Sequence, residues 1–333
     1  PPYQGENDDS NRKPPIYPDF MDSAYLVGEK VELITPARFL FNAGQTSKAW
    51  NEKMLTDKHL TVLLYEADGT AVFPDADIKG GVAVTLRDST KELGPIGAFT
   101  PYLQLNRIAK KVREHADGIQ SGFLKSIVSP RGNYRFNSSF TDDYPQILKK
   151  MGKGTGNMFG SNIFALVPEC ATTEEKTNTY QFLCRIDSKR SIRYVDRRYV
   201  LPNNFTDKYN VAIPQANGRG SYGEALSTPE ILNRGECTTD TFLSIGQFDT
   251  PEEAQNLVKY IKGKFSRALL GIKKVTQNTP PSVWEYVPLQ DFTNQSDIDW
   301  SKSIAEIDQQ LYKKYRLDND EIEFIESHVK EMN

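Results

Sequence analysis

Cysteine and histidine are scarce in this chain of 333 residues. Cys170, Cys184 and Cys237 lie far apart without C-x-x-C spacing, and His59, His115 and His328 are scattered. A disulfide framework and a structural zinc site are therefore poor readings. Three buried or idle thiols in a reducing compartment account for the cysteines more simply. No apolar run approaches the roughly 18–20 residues that a membrane span needs. Internal repeats and low-complexity tracts are also missing. No secretory signal opens the chain, and its first residue is Pro1 rather than Met, as an internal start would give. What is present suits packed domains: 38% hydrophobic residues, 11% aromatic and 26% charged. That composition sets aside disordered, collagen-like and coiled-coil classes, and the length suits two compact domains or one domain with a large addition.

The net charge of −3 hides an uneven distribution. Residues 1–95 hold 10 basic and 15 acidic side chains, and residues 291–333 hold 5 and 11. Between them, residues 96–125 hold 5 basic and 2 acidic groups, and residues 126–290 hold 21 and 16. A basic middle between acidic ends is a plausible nucleic-acid footprint, although a mixed solvated surface gives such an excess often enough.

Hydrophobic periodicity divides the chain. Helical spacing over Tyr17–Glu29 precedes a short apolar strand, Lys30–Thr35. A helix over Thr46–Asp57 precedes strands at His59–Glu66 and Gly80–Arg87. Strands alternating with helices predict a partly parallel, doubly wound α/β sheet. Three strands are few for an open sheet, so this region reads as the second half of a larger domain. Residues 102–117 form an amphipathic helix with Leu103, Ile108 and Val112 inward, able to bridge two domains. The segment 126–245 turns to Gly, Asn, Ser and short β-type runs such as Tyr180–Ile186 and Phe242–Gly246. One helix is expected over Pro251–Leu270 behind Thr250 as N-cap, and two short charged helices follow Ser301, with Leu311, Tyr315 and Ile322 packing them. The glycine-bearing run Lys150–Asn162 lacks the G-K-[S/T] ending of a P-loop and reads as a loop or hairpin.

The first three residues are Pro1-Pro2-Tyr3, and a strand–helix–strand pattern follows them. The tripeptide alone is a weak signal; in that context it suits the carboxyl end of a central strand, where open α/β sheets bind ligands. Downstream stand Thr35-Pro36-Ala37-Arg38-Phe39-Leu40 and Val72-Phe73-Pro74, the latter followed by the apolar run Gly81–Leu86. With these motifs the chain resembles the carboxyl-terminal part of a gamma-class N6-adenine DNA methyltransferase of a type II restriction–modification system. The resemblance covers nearly the whole chain, with its most specific motifs in the first 95 residues. It implies the second half of a Rossmann-like methyltransferase sheet followed by an α+β target-recognition domain. The expected division is residues 1–100 for the partial catalytic domain, 101–125 for a linking helix, 126–290 for target recognition and 291–333 for a helical extension.

In that family an Asn or Asp precedes Pro-Pro-Tyr/Phe, and here its slot falls before Pro1. The adenine amino group is a weak nucleophile because its lone pair is conjugated with the ring. The resemblance implies that the Asn/Asp side chain and the Pro1 carbonyl accept the amino hydrogens and so localise the lone pair toward the methyl group of S-adenosylmethionine. Pro1 and Pro2 restrict the backbone that aims this carbonyl. Tyr3 is the expected stacking face for a base flipped out of the duplex, and Phe73 holds the base from another side. Taken without the resemblance, Phe73 is equally well a core aromatic beside a turn, and Tyr3 a loop tyrosine. The family's glycine-rich cofactor motif is not found in the chain, and the residues binding S-adenosylmethionine are left unassigned. The fragment by itself is therefore expected neither to bind that cofactor normally nor to methylate.

Candidate DNA contacts are Arg131, Arg193, Arg197, Arg219, Lys273, Lys274, Gln277 and Asn278. Arginine and lysine suit phosphates and guanine edges, and Asn and Gln suit adenine edges. For any single one of them a solvated surface charge is the plainer reading. Arg185, Lys189, Arg190 and Arg198 extend one basic group, and Lys262, Lys264 and Arg267 another. The implied partners are double-stranded DNA and a restriction endonuclease domain or subunit; the implied setting is a bacterial or archaeal cytoplasm. Two other classes stay open: a non-catalytic DNA-specificity module serving a partner enzyme, and an RNA or protein methyltransferase using the same chemistry.

Overall fold

The computed structural model describes residues 15–42, 46–75, 78, 80–119, 122–151 and 156–332. The chain divides into two compact units, Pro1–Lys110 and Lys111–Asn333.

The first unit is a small mixed α/β structure. Helix α1 (Tyr17–Val27) leads into strand β1 (Lys30–Pro36). Helix α2 (Lys48–Thr56) is capped by Ser47, whose hydroxyl accepts the Trp50 N–H at 3.1 Å. Strand β2 (Leu60–Glu66), the one-turn helix α3 (Gly69–Val72) and strand β3 (Val82–Asp88) follow. All five elements expected over residues 17–88 therefore form. The sheet order is β1-β3-β2, and both hydrogen-bonded pairs are antiparallel. Because β1 and β2 each oppose β3, they point the same way, with α2 connecting them. The expected parallel neighbours are thus separated by a third strand, which returns from the β2–β3 loop into the gap.

The core of this unit gathers Tyr17, Met21, Phe39, Leu40, Met54, Leu60 and Phe99. Phe39 and Trp50 meet edge to face at 5.4 Å, a geometry that aromatic quadrupoles favour. Asp22 on α1 accepts from Trp50 Nε1 at 3.2 Å and Lys53 Nζ at 2.8 Å on α2, which fixes the two helices together. Outside this core several apolar side chains are bare. Phe20, Leu26 and Val27 on α1, Ile34 on β1 and Leu63 and Leu64 on β2 are all exposed.

Helix α4 (Leu103–Ile119) contains the division between the units. Ile108 and Val112 are buried as expected, but Leu103 is 40% exposed and Leu105 takes the inward position.

The second unit opens with three short helices, α5 (Ser138–Asp143), α6 (Ile147–Lys150) and α7 (Ile163–Leu166). Strands β4 (Ala171–Thr172), β5 (Thr179–Ile186), β6 (Lys189–Asp196), β7 (Tyr209–Pro214), β8 (Glu230–Leu232), β9 (Glu236–Thr238) and β10 (Phe242–Phe248) come next. They form a β4-β6-β5-β9 sheet and a β10-β7-β8 sheet. The β5–β6 hairpin turns at Asp187 and Ser188, both with positive φ, as the twist of a two-residue turn requires. Phe136, Phe140, Phe159, Phe164 and Phe182 pack one core with Cys170, Cys184 and Cys237. All three thiols are unpaired and buried. Burial pushes the Cys170 thiol up to about 12 and raises Cys184 and Cys237 as well, which keeps them protonated and unreactive.

The helix expected over Pro251–Leu270 is two helices, α8 (Pro251–Lys262) and α9 (Lys264–Leu270). Thr250 does cap α8, in a capping box with Glu253. The break is at Gly263, whose ψ of 149° is extended. A Cβ there would lie 2.7 Å from Asp308 Oδ1. That carboxylate accepts the Lys264 N–H at 2.8 Å and the Phe265 N–H at 3.1 Å, restarting the helix as a remote cap. Asp308 belongs to helix α10 (Ile304–Lys314), which α11 (Asn319–His328) follows, each opened by a capping box. Leu311 and Tyr315 are buried here, while Ile322 is only half-buried and Phe324 and Ile325 take the core positions.

Burial pushes the Asp308 carboxyl up from 3.8 to about 6, against the pull of the two backbone donors. Folded protein therefore holds this proton more tightly than unfolded protein. Its contribution is fully present below pH 4 and is lost as the pH rises through about 6, by on the order of 3 kcal/mol. Asp308→Asn should flatten the slope of stability over that window, as urea unfolding at pH 4, 5, 6 and 7 will read.

Candidate functional site

In the first unit β1 and β2 end at one edge. Pro36 and Glu66, their last residues, both stand opposite Val82 at the start of β3. The Thr35–Leu40 motif turns there into a 3-10 helix, Ala37–Phe41, that buries Ala37, Phe39 and Leu40. The loop carrying Phe73 leaves from the same edge. Asp68 starts it by accepting the Thr70 N–H at 3.0 Å, and Phe73 closes α3 by donating its N–H to the Gly69 carbonyl at 2.9 Å. The loop returns at Gly81, whose carbonyl accepts the Ala37 N–H at 3.0 Å. Gly81 has a φ of 80°, and a Cβ there would sit 2.4 Å from the Glu66 carbonyl oxygen. Gly81→Ala should therefore destabilise the first unit by roughly 1–3 kcal/mol, a loss read by thermal unfolding.

Phe73 is 41% exposed, so it is an aromatic presented at the carboxyl edge and not a core residue. Thr35, near the end of β1, is buried, and its hydroxyl has no hydrogen-bond partner among the described residues. Pro1, Pro2 and Tyr3 lie outside the described residues.

In the second unit the basic residues fall into different surroundings. Lys274 is buried; its ammonium is held by Glu224 at 2.8 Å and by the Thr276 carbonyl at 3.2 Å. Arg267 is buried too, donating to the carbonyls of Lys262 and Glu224. Lys264 pairs with Glu326 at 2.6 Å and Lys273 with Glu285 at 2.8 Å. Arg267 and Lys274 thus serve inside the protein, while the Lys273 side chain is 41% exposed. Arg193 bonds the Ile192 carbonyl, and Arg197 lies over the Tyr180 ring at 4.6 Å. Among the described residues no hydrogen bond or ion pair brings those two to the other candidates.

Arg219, Gln277 and Asn278 do come together, because two loops run side by side. The Asn217 N–H donates to the Gln277 carbonyl at 2.7 Å, and Ala216 bridges Asn278. Glu224 ties the pair: its carboxylate accepts the backbone N–H groups of Arg219 and Gly220 at 2.7 and 2.8 Å as well as the Lys274 ammonium. Burial works against ionisation of Glu224, but the Arg219 N–H, Lys274 and the Gly220 N–H together hold its carboxyl below the usual range.

Beside these loops is a polar cleft of about 250 Å³, whose lining includes Arg131, Arg185, Gln215, Asp240 and Asn278. Arg131 donates through Nε and Nη2 to Asp240 Oδ2 at 3.0 and 2.6 Å. Asp240 and Gln215 carry no signal in the sequence. Asp240 is a single acid 109 positions from its partner, and Gln215 is an isolated amide in a loop.

Residues 1–73 match the Eco57I restriction-modification methylase family. None of the curated proteins matches the chain. Among solved structures, a type IIG restriction endonuclease, BpuSI, is similar over 90% of this chain at 10% identity and a TM-score of 0.32. The chain spans 47% of the length of that structure. Over its first 73 residues, then, this protein is similar to the methylases of restriction–modification systems.

Proposed function

We propose that the chain is part of a site-specific DNA adenine-N6 methyltransferase of a restriction–modification system, which flips the target adenine out of duplex DNA. The observation that carries this reading is the extent of the methylase match. It runs from Pro1 to Phe73 and so includes both residues assigned to the base. The exposed ring of Phe73 at the carboxyl edge of β1 and β2 supports it, since open α/β sheets bind ligands there. The bare apolar side chains of α1, β1 and β2 support a sheet that continues in the larger domain.

In this reading the Pro1 carbonyl accepts a hydrogen of the adenine amino group and turns the nitrogen lone pair outward. Tyr3 and Phe73 hold the extruded base by its faces, offsetting an unstacking cost of a few kcal/mol with about 1–3 kcal/mol of stacking for each ring. S-adenosylmethionine supplies the methyl group. The chain's own contribution is alignment of the acceptor nitrogen, and positioning accounts for much of the rate of an in-line transfer. The second unit reads the DNA sequence through its loops, and a restriction endonuclease domain or subunit acts with it.

Competition between duplex DNA and structured RNA tests the substrate. Labelled mixed-sequence duplex should be displaced by unlabelled duplex and far less by RNA, with affinity falling as salt rises. Equal displacement by RNA would overturn the DNA reading.

A further inference from the structure

Resting on that DNA reading, we infer that Arg131 reads a guanine in the recognition sequence and that Asp240 is the positioning residue that aims it. Arg131 is 60% exposed at its side chain, whereas Asp240 is 5% exposed. An exposed arginine tip bonded twice to a buried carboxylate is fixed in direction. Two of its donor nitrogens are engaged by one oxygen, and Nη1 has no hydrogen-bond partner among the described residues. The pair is close to neutral, which makes it a poor phosphate clamp and a good oriented donor. Guanine presents two acceptors, O6 and N7, in the major groove, and a planar guanidinium matches them.

The rest of the cleft fits the edge of a base pair. Gln215 and Asn278 bring two amides, each both donor and acceptor, to the same lining. The other Asp240 oxygen, Oδ1, is buried without a hydrogen-bond partner among the described residues. A buried acceptor left alone is costly, so the carboxylate depends on the two bonds from Arg131 at Oδ2, which hold the guanidinium in place. Arg185 belongs to the same lining, with its Nη2 on the Ser188 carbonyl at 2.9 Å.

The test selects duplexes from a library randomised over a short central region, using the full chain and its Arg131→Ala, Arg131→Lys and Asp240→Asn variants, each checked by thermal unfolding. The original chain should require a G·C pair at one or more positions. Arg131→Ala should lose about 10- to 100-fold of the preference at one such position and keep the others. Arg131→Lys keeps the charge and should lose nearly the same preference, because it lacks the fork. Asp240→Asn should weaken that one preference and leave the salt slope unchanged. Uniform weakening at all positions would make Arg131 a phosphate or structural residue and overturn the inference. An unchanged preference in the lysine variant would overturn it as well, with the DNA reading intact. Absence of any duplex selection by the original chain would instead sink the DNA reading and this inference with it.

Discussion

Phe73→Ala should lower the rate of methyl transfer to duplex DNA by about 5- to 150-fold in the intact protein, the kinetic equivalent of losing one base stack of roughly 1–3 kcal/mol. The same substitution should barely alter stability. Phe73 is 41% exposed, and the core of its unit is built from Tyr17, Phe39, Met54 and Phe99 instead. The two effects are therefore separable. Tyr3→Ala should reduce transfer to a similar degree. Phe73→Tyr keeps the π-face and should retain most of the rate, whereas Phe73→Leu keeps apolar area and should not. Single-turnover transfer beside urea unfolding of the same samples checks this. Equal losses in stability and rate would return Phe73 to a packing role.

Glu224→Ala should cost about 3–5 kcal/mol of stability in the second unit, the range for a buried charge left without its partner. The Lys274 ammonium would stay buried at 3% exposure, facing no carboxylate. The N–H groups of Arg219 and Gly220 would lose their acceptor in the same step. Duplex affinity should fall too, because this carboxylate holds the Arg219 loop against residues 274–279. Adding Lys274→Met should recover part of the stability, since an apolar pair replaces an orphaned charge, but not the loop order. A urea midpoint measured for the two variants reads the first effect. Glu224 also adds a pH dependence: its carboxyl is held low in the folded state, so its stabilisation is present at neutral pH and is lost as the pH falls through the acid range.

Local elements were legible in the sequence where they follow local rules. The apolar periods of α1, β1, α2, β2 and β3 depend only on neighbouring residues, and the cap at Thr250 follows from side chains three positions apart. Strand direction did not follow, because the insertion of β3 is a long-range pairing that no local pattern encodes. The break at Gly263 was hidden for the same reason: the carboxylate that restarts the helix is 44 positions away. Among the candidate residues, Phe73 stands in a sequence motif, while Asp240 does not, since a lone acid acquires meaning only beside Arg131. Lysine counts misled over residues 262–274, because composition cannot separate a solvated ammonium from one facing Glu224, Glu285 or Glu326.

The most direct measurement is transfer of a labelled methyl group from S-adenosylmethionine to mixed-sequence duplex DNA by the intact protein, followed by nucleoside digestion. Label on adenine N6, strongly reduced by Tyr3→Ala, is the predicted result. Duplex binding with no label on any base would contradict a catalytic role and make the chain a specificity module.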